Sequence, residues 1–190
     1  MEKISLGKNS MIFPMPLGLV GVNVADNRPN FTTVGSIASA SLDPPMVSFS
    51  LNKVRYSNKF IIEKKVFSLN FPSANLAQKV DYCGLVSGEK IDKSQLFQVF
   101  YGSLPDVPMI KECPLCIECK LVAVIDLPKN ELFIGQIVNS YTEQKYLTNG
   151  KPDTAKLGLC TLNFADSSYR APGVAVGKAF CDGAKLAPLS

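Results

Sequence analysis

Short apolar runs, each cut off by Gly, Pro, Asn or Asp, dominate the first half of the chain. Residues 17–25 (LGLVGVNVA) are rich in Val and Leu and end at Asp26-Asn27-Arg28-Pro29-Asn30, a turn by composition. Residues 31–40 read as the antiparallel return strand. Asp43-Pro44-Pro45 is a hard break, because neither proline donates a backbone hydrogen bond. Residues 46–51 (MVSFSL) then alternate apolar and small polar positions, the pattern of a half-buried strand.

Further on, the spacing predicts a short helix over 59–65, capped by Ser57 or Asn58, and a strand over 66–71 (VFSLNF). Leu76, Val80, Cys83 and Leu85 fall at helical spacing within 74–86, which Ser87-Gly88 closes. Residues 89–114 lack clean periodicity and are expected to be mostly loop. Residues 116–127 (CIECKLVAVIDL) and 131–138 (ELFIGQIV) flank Pro128-Lys129-Asn130 and read as a hairpin. From residue 156 onward no strong pattern emerges. Many short strands, two short helices and no βαβ rhythm favour an antiparallel barrel over a doubly wound sheet. There is no internal repeat, and residues 1–190 are expected to form a single domain.

Composition narrows the chemistry. The chain is 46% apolar and 19% charged, as in ordinary globular proteins, with a formal charge of only +4 spread along its length. That falls short of a nucleic-acid footprint. It contains no His, which removes imidazole bases, His-ligated zinc and His-ligated haem. Redox chemistry carried by a borrowed cofactor suits such a chain. The polar start MEKISLGKNS is not a signal peptide, and no apolar run reaches membrane-spanning length. With Cys83, Cys113, Cys116, Cys119, Cys160 and Cys181, the simplest expectation is free thiols in a reducing cytoplasm. The sequon Asn30-Phe31-Thr32 is then coincidental. No GxGxxG follows a strand and no GxxxxGK[ST] occurs, so Rossmann and P-loop nucleotide sites are not expected.

The informative stretch is 30–59. Thr32, Thr33, Ser36, Ser39 and Ser41 alternate with Gly35 and Ala38, and small hydroxyl residues with open backbone N–H groups suit a phosphate at close range. Arg55 and Lys59 supply positive charge, and a helix starting near Ser57-Asn58 adds its N-terminal dipole. Composition alone leaves a second reading open, in which these hydroxyls line a solvent-facing strand. Pro45 and Met46 offer an apolar surface for a planar ring, and the strand at Ser50–Asn52 offers backbone groups for its polar rim.

In order along the chain, PMPLGLVGV, N-F-T-T-V, S-x-x-S-A-S, DPPMVSFSL and R-Y-S-N-K resemble the flavin reductase-like, FMN-binding split-barrel family, and its flavoredoxin members most of all. VFSLNF, Ser87-Gly88, Ile117-Glu118-Cys119, LFIGQIV and the closing Tyr169-x-Ala-Pro-Gly continue the match. The resemblance implies a six-stranded antiparallel Greek-key split β-barrel with a few short helices, a homodimer, and FMN near the subunit interface. It places Thr32, Ser39 and Ser41 at the phosphate and ribityl chain, with Ser36 and Ala38 on the same run. Ser50, Leu51 and Asn52 then meet the ring edge through backbone groups, and Arg55, Ser57, Asn58 and Lys59 return to the phosphate. The implied activity is hydride or electron transfer through FMN, with NAD(P)H or a small redox protein such as ferredoxin as donor. Phe31 stands where many relatives differ, and it packs either on the flavin or on the barrel.

Other readings compete. Cys113, Cys116 and Cys119 form a C-x2-C-x2-C run, but residues three apart on a strand face opposite sides, so Cys116 and Cys119 would diverge and no metal site is expected. A redox role for Cys113 or Cys116 stays open. Glu118 and Lys120 alternate with apolar neighbours and read as a solvated strand face. Among the tyrosines, Tyr169 is the best placed to touch a flavin or partner. The alternatives to FMN are a non-catalytic barrel binding module and a split barrel holding haem or a deazaflavin.

Overall fold

The computed structural model describes residues 1–9 and 12–185. The chain opens with a two-residue strand β1 (Met15–Pro16), then β2 (Gly18–Asn23), β3 (Pro29–Val34), β4 (Ile37–Leu42) and β5 (Pro45–Asn52). Helix α1 (Ser57–Lys64), strand β6 (Val66–Phe71) and helix α2 (Ala77–Leu85) follow. A small hairpin, β7 (Val99–Tyr101) with β8 (Pro108–Ile110), leads into two long strands, β9 (Leu115–Asp126) and β10 (Asn130–Thr142). After β11 (Leu147–Thr148), β12 (Lys151–Pro152) and one turn of helix α3 (Thr154–Leu157), strands β13 (Thr161–Asn163) and β14 (Ser168–Arg170) join β1 in a separate sheet.

The main sheet is antiparallel, in the order β3-β2-β6-β9-β10-β5-β4. Its two edge strands, β3 and β4, are joined by only Gly35 and Ser36, so the sheet must roll until the end of β3 comes close to the start of β4, without a β3–β4 ladder. The Ser50 N–H donates to the Ser36 carbonyl at 3.2 Å across that junction. The result is a mainly β, open split barrel, as expected. The strand count differs: the single strand expected over 31–40 breaks at Gly35-Ser36, giving seven strands where six were anticipated.

Alternation along the strands divides the apolar residues between two cores. Val20, Phe49, Phe67, Leu69, Cys119 and Phe133 fill the barrel interior, where Phe49 stacks on Phe133 with ring centroids 5.1 Å apart. Leu19, Phe31, Val80, Cys83, Met109 and Cys116 form a second core outside it, beneath α2 and the β7–β8 hairpin. Cys116 and Cys119 thus point into different cores, as strand geometry requires. Phe31 packs on the barrel, edge-on to Phe97 at 5.6 Å.

Residues 89–114 are more ordered than their composition suggested. Besides β7 and β8 they carry a 3-10 turn over Ser94–Leu96. This excursion also overturns the expectation for Glu118, which is 0% exposed. Its carboxylate accepts from the Ser103 N–H at 3.1 Å, the Leu104 N–H at 3.0 Å and the Tyr141 hydroxyl at 2.7 Å, and from the Ser103 hydroxyl. Lys120, one alternation further, is exposed as expected.

Candidate functional site

Strand β5 runs out of the barrel at Asn52 and turns through Lys53–Tyr56 before α1 begins. Asn58 pins this turn: its side-chain amide donates to the Asn52 carbonyl at 3.1 Å and to Glu131 at 2.7 Å. On the inner side of the turn lies a cavity of about 170 Å³ lined by Thr32, Arg55, Tyr56, Ser87, Gly88 and Lys93, among others. On its outer side a second cavity of about 330 Å³ is bordered by Lys53, Arg55, Tyr56, Asn58, Lys59 and Glu131. Val54, Arg55 and Tyr56 line both.

The inner cavity is strongly cationic. Lys93 is 1% exposed, and its ammonium donates to the Cys83 and Val86 carbonyls, each at 3.3 Å. Arg55 donates to the Gly84 carbonyl at 2.8 Å. Among the described residues neither forms an ion pair with a carboxylate. Burial lowers the Lys93 pKa from its usual 10.5, and the Arg55 and Arg28 charges push the same way, against the opposing influence of Cys83. Two cations held without counterions in a small space, beside the hydroxyls of Thr32 and Ser87, form a receptor for an anion.

A buried polar network stands behind this wall. The Asn30 amide donates to Ser57 Oγ at 2.8 Å, and Ser57 shares a hydrogen bond with Thr32 Oγ1 at 2.6 Å. Ser57 therefore does not cap α1. Tyr56 occupies the N-cap position with helical dihedrals and no side-chain cap bond. Gly88 passes so close to Asn30 that a β-carbon there would collide with the Asn30 amide. Arg28 fixes the same loop by donating to the Gly88 carbonyl at 2.9 Å, while pairing with Asp92 at 3.1 Å.

The remaining sequence-predicted residues lie elsewhere. Ser39 pairs with Val47 and Ser41 with Met46, at the hairpin end of β5 remote from Arg55. At about 3.3 Å per residue, Met46 and Asn52 are roughly 20 Å apart. Ser39 and Ser41 thus cannot share a phosphate with Arg55. They border an apolar groove of about 440 Å³ with Ala38, Ile37, Met46 and Ile117. Between the two ends, Ser50 accepts from the Asn130 amide at 3.0 Å, Leu51 buries its side chain in the barrel, and Ser36 and Asn52 are exposed. Lys59 is exposed too, with its ammonium 4.6 Å from the Tyr56 ring centroid.

The sequence profile of the flavin reductase like domain matches residues 10–173. The chain belongs to that family. Flavoredoxin from Methanosarcina acetivorans is similar to it over 96% of this chain and 98% of its own, with 44% identity and a TM-score of 0.92. Flavoredoxin of Desulfovibrio vulgaris (Miyazaki F) gives 32% identity over 96% of this chain and 100% of its own, with a TM-score of 0.90. An FMN-binding protein from Thermus thermophilus, solved with bound 1-cyclohex-2-enone, gives 25% identity over 90% and 94%, with a TM-score of 0.77.

Within this flavin reductase like chain, sequence reasoning missed Lys93 and the Ser87-Gly88 turn as parts of the site. Lys93 sits in a segment without periodicity, and only the fold brings it under α2. Tyr169 donates to Asp81 at 2.7 Å and ties β14 to α2. Tyr56 is the tyrosine that lines both cavities.

Proposed function

We propose that the chain is an FMN-binding flavoprotein of flavoredoxin type, which passes electrons or hydride through the bound cofactor. The observation that carries this reading is the pair of uncompensated cations, Arg55 and Lys93, around a cavity that has room for a phosphate group but not for a three-ring system as well. In this arrangement Thr32, Arg55, Ser87 and Lys93 hold the dianionic tail. Ser57 and Asn30 keep Thr32 in place, and Asn58 keeps the Asn52–Tyr56 turn from closing over it. The ring lies along β5 toward Ala38, Ser39, Ser41 and Met46, past Ser36, Ser50, Leu51 and Asn52, with Lys59 at the outer rim.

The roughly 20 Å between the two ends of β5 suits an extended FMN. When bound, the flavin supplies the redox chemistry that a chain without His does not. The residues themselves bind and orient. NAD(P)H or a small redox protein such as ferredoxin serves as donor, and the working form is a homodimer in the cytoplasm.

A titration separates tail from ring. Purified protein is titrated with FMN and with riboflavin, following flavin fluorescence. FMN is expected to bind at least about 10-fold more tightly, the equivalent of one charge-assisted bond. A protein whose spectrum stays featureless after FMN is added is not a flavoprotein. Equal affinities would remove the phosphate from the Arg55–Lys93 cavity.

A further inference from the structure

The outer face of β9 borders a cavity for which the flavin reading has no use. It measures about 480 Å³, within the range of small-molecule sites, and lies between the β7–β8 hairpin, the start of β9 and the end of β10. Cys116 lines it, while the flanking residues Leu115 and Ile117 line the apolar groove beside β4. Alternation along one strand thus sets the two hollows back to back, with the sheet between them.

Its walls are aromatic and fixed in place. Phe100 meets Tyr141 edge-on, with ring centroids 5.8 Å apart. The Tyr141 hydroxyl donates to Glu118 at 2.7 Å and accepts from the Ser103 N–H and the Asn139 amide, each at 3.0 Å. A ring anchored by three partners cannot swing inward to fill the hollow without breaking those bonds. A planar apolar body placed there gains burial together with ring contacts.

The polar groups around this space are unevenly committed. Glu143, the one carboxylate on the lining, pairs with Lys145 at 2.9 Å, and the Thr142 hydroxyl donates to the Pro114 carbonyl at 2.7 Å. Cys116 turns its thiol to the Ile110 carbonyl at 3.3 Å. Among the described residues, the Lys111 ammonium has no carboxylate partner and the Gln98 side-chain amide makes no hydrogen bond. Cys113, only 5% exposed, donates its thiol to no acceptor. Burial holds that thiol protonated, with its pKa well above the usual value, so it stays a donor. One full positive charge and two weaker donors are left uncommitted around an aromatic hollow.

We propose that this cavity binds a small planar aromatic carboxylate, with its ring against Phe100 and Tyr141 over the two thiols and its carboxylate at Lys111 and Gln98. A neutral ring would use the walls but leave the charge at Lys111 unanswered, and a cationic ring would be repelled by it. An anion with acceptor oxygens on a flat apolar body answers both features. Since the sheet separates this cavity from the groove beside β4, the two fill independently. The site therefore stands whether or not the groove holds a flavin.

Calorimetric titration of the full-length protein with cinnamate and with its neutral amide, cinnamamide, tests the site, with and without saturating FMN. Cinnamate is expected to bind at least about 10-fold more tightly than the amide, the equivalent of one charge-assisted bond. Its affinity should be the same whether FMN is present or absent. Lys111 is exposed, so Lys111→Met leaves the fold alone, and it should erase the preference for the carboxylate while sparing the amide. Phe100→Leu, checked for folding by its thermal melt, should weaken both probes. Failure of cinnamate to bind at millimolar concentration would overturn the proposal, as would a Lys111→Met variant that keeps the preference. Displacement of cinnamate by FMN would place the probe in the flavin groove and overturn it too, whereas failure of FMN itself to bind would sink the flavin reading and leave this site standing.

Discussion

Lys93 donates from beneath α2 to the Cys83 carbonyl at 3.3 Å, which sets a buried ammonium against the C-terminal end of that helix. The Val86 carbonyl takes a second N–H at the same distance. Carbonyls at a helix C-terminus favour a cation, and an ammonium has three N–H bonds. Two are spent on the helix, and the third remains for whatever enters the cavity. The helix orients the charge but does not neutralise it.

Replacing Lys93 by Met should therefore separate binding from folding. Loss of a charge-assisted bond of about 1.5–3 kcal/mol weakens FMN by roughly 10- to 100-fold. Riboflavin, lacking the phosphate, should bind unchanged. Fluorescence titration of both flavins checks this, and an FMN affinity that survives the substitution would take Lys93 out of the site.

The same residue predicts an alkaline signature. Its folded pKa lies below its usual 10.5, so between those two values the unfolded chain holds a proton that the folded chain has lost. Stability of the ligand-free protein then rises with pH across that window. Urea denaturation from pH 8 to pH 11 should show a gain attributable to Lys93, and the Lys93→Met variant should lack it. Phosphate or FMN in the cavity should suppress it, by restoring the charged form.

Glu118 gives the opposite limb. Burial alone would raise its carboxyl pKa, but hydrogen bonds from Ser103, Leu104 and Tyr141 outweigh burial and hold it below the usual 4.5. Its contribution is fully present above pH 4.5 and disappears as pH falls through the lowered folded value. Glu118→Gln keeps the shape but loses the charge on which these donors converge. Destabilisation of about 2–4 kcal/mol is expected at pH 7, with a smaller gap between variant and parent at pH 3. A gap that persists undiminished in acid would mean that packing, not charge, fixes the loop.

These two residues mark where sequence legibility stopped. Strand alternation, the proline break after Leu42 and the β9–β10 hairpin were readable because each depends on neighbours in the chain. So was the divergence of Cys116 and Cys119. Glu118 was misread because alternation tells which residues share a face, not whether another segment covers that face. The cover, Ser103 and Leu104, comes from a stretch with no periodic signal. Lys93 was missed for the same reason: its neighbours Arg55 and Thr32 are distant in sequence, and only the wrap of α2 brings them together. Ser39 and Ser41 were legible as small hydroxyls on one run with Ser36, but not as lying far from Arg55, since that distance depends on the register of β4 against β5.

Ser57 tests the wall behind the cavity. Removing its hydroxyl leaves the buried Asn30 amide and Thr32 hydroxyl without their shared partner. Ser57→Ala should cost about 1–3 kcal/mol of stability, a penalty typical of stranded buried polar groups. Because Thr32 is then free to rotate, FMN affinity should fall as well, while Ser57→Thr should recover stability more than affinity. Thermal melts and FMN titrations of the two variants, side by side, distinguish a supporting role from a simple capping role, which would leave Thr32 and the flavin untouched.

Thiol chemistry decides what the Cys113-x-x-Cys116 pair can do. Both residues are buried beside a cavity of about 480 Å³ that Phe100 and Tyr141 also line. Burial pushes the Cys116 thiol up to about 12 and Cys113 well above its usual value, so neither supplies thiolate near neutrality. Attack on a disulfide needs the thiolate, which burial withholds from this pair although both residues border the cavity. Ellman's reagent at pH 8 should accordingly titrate Cys181 rapidly in the folded protein, and all six cysteines only after unfolding in guanidinium. A second fast thiol in the native state, mapped by mass spectrometry to Cys113 or Cys116, would give the pair a redox role that its burial denies.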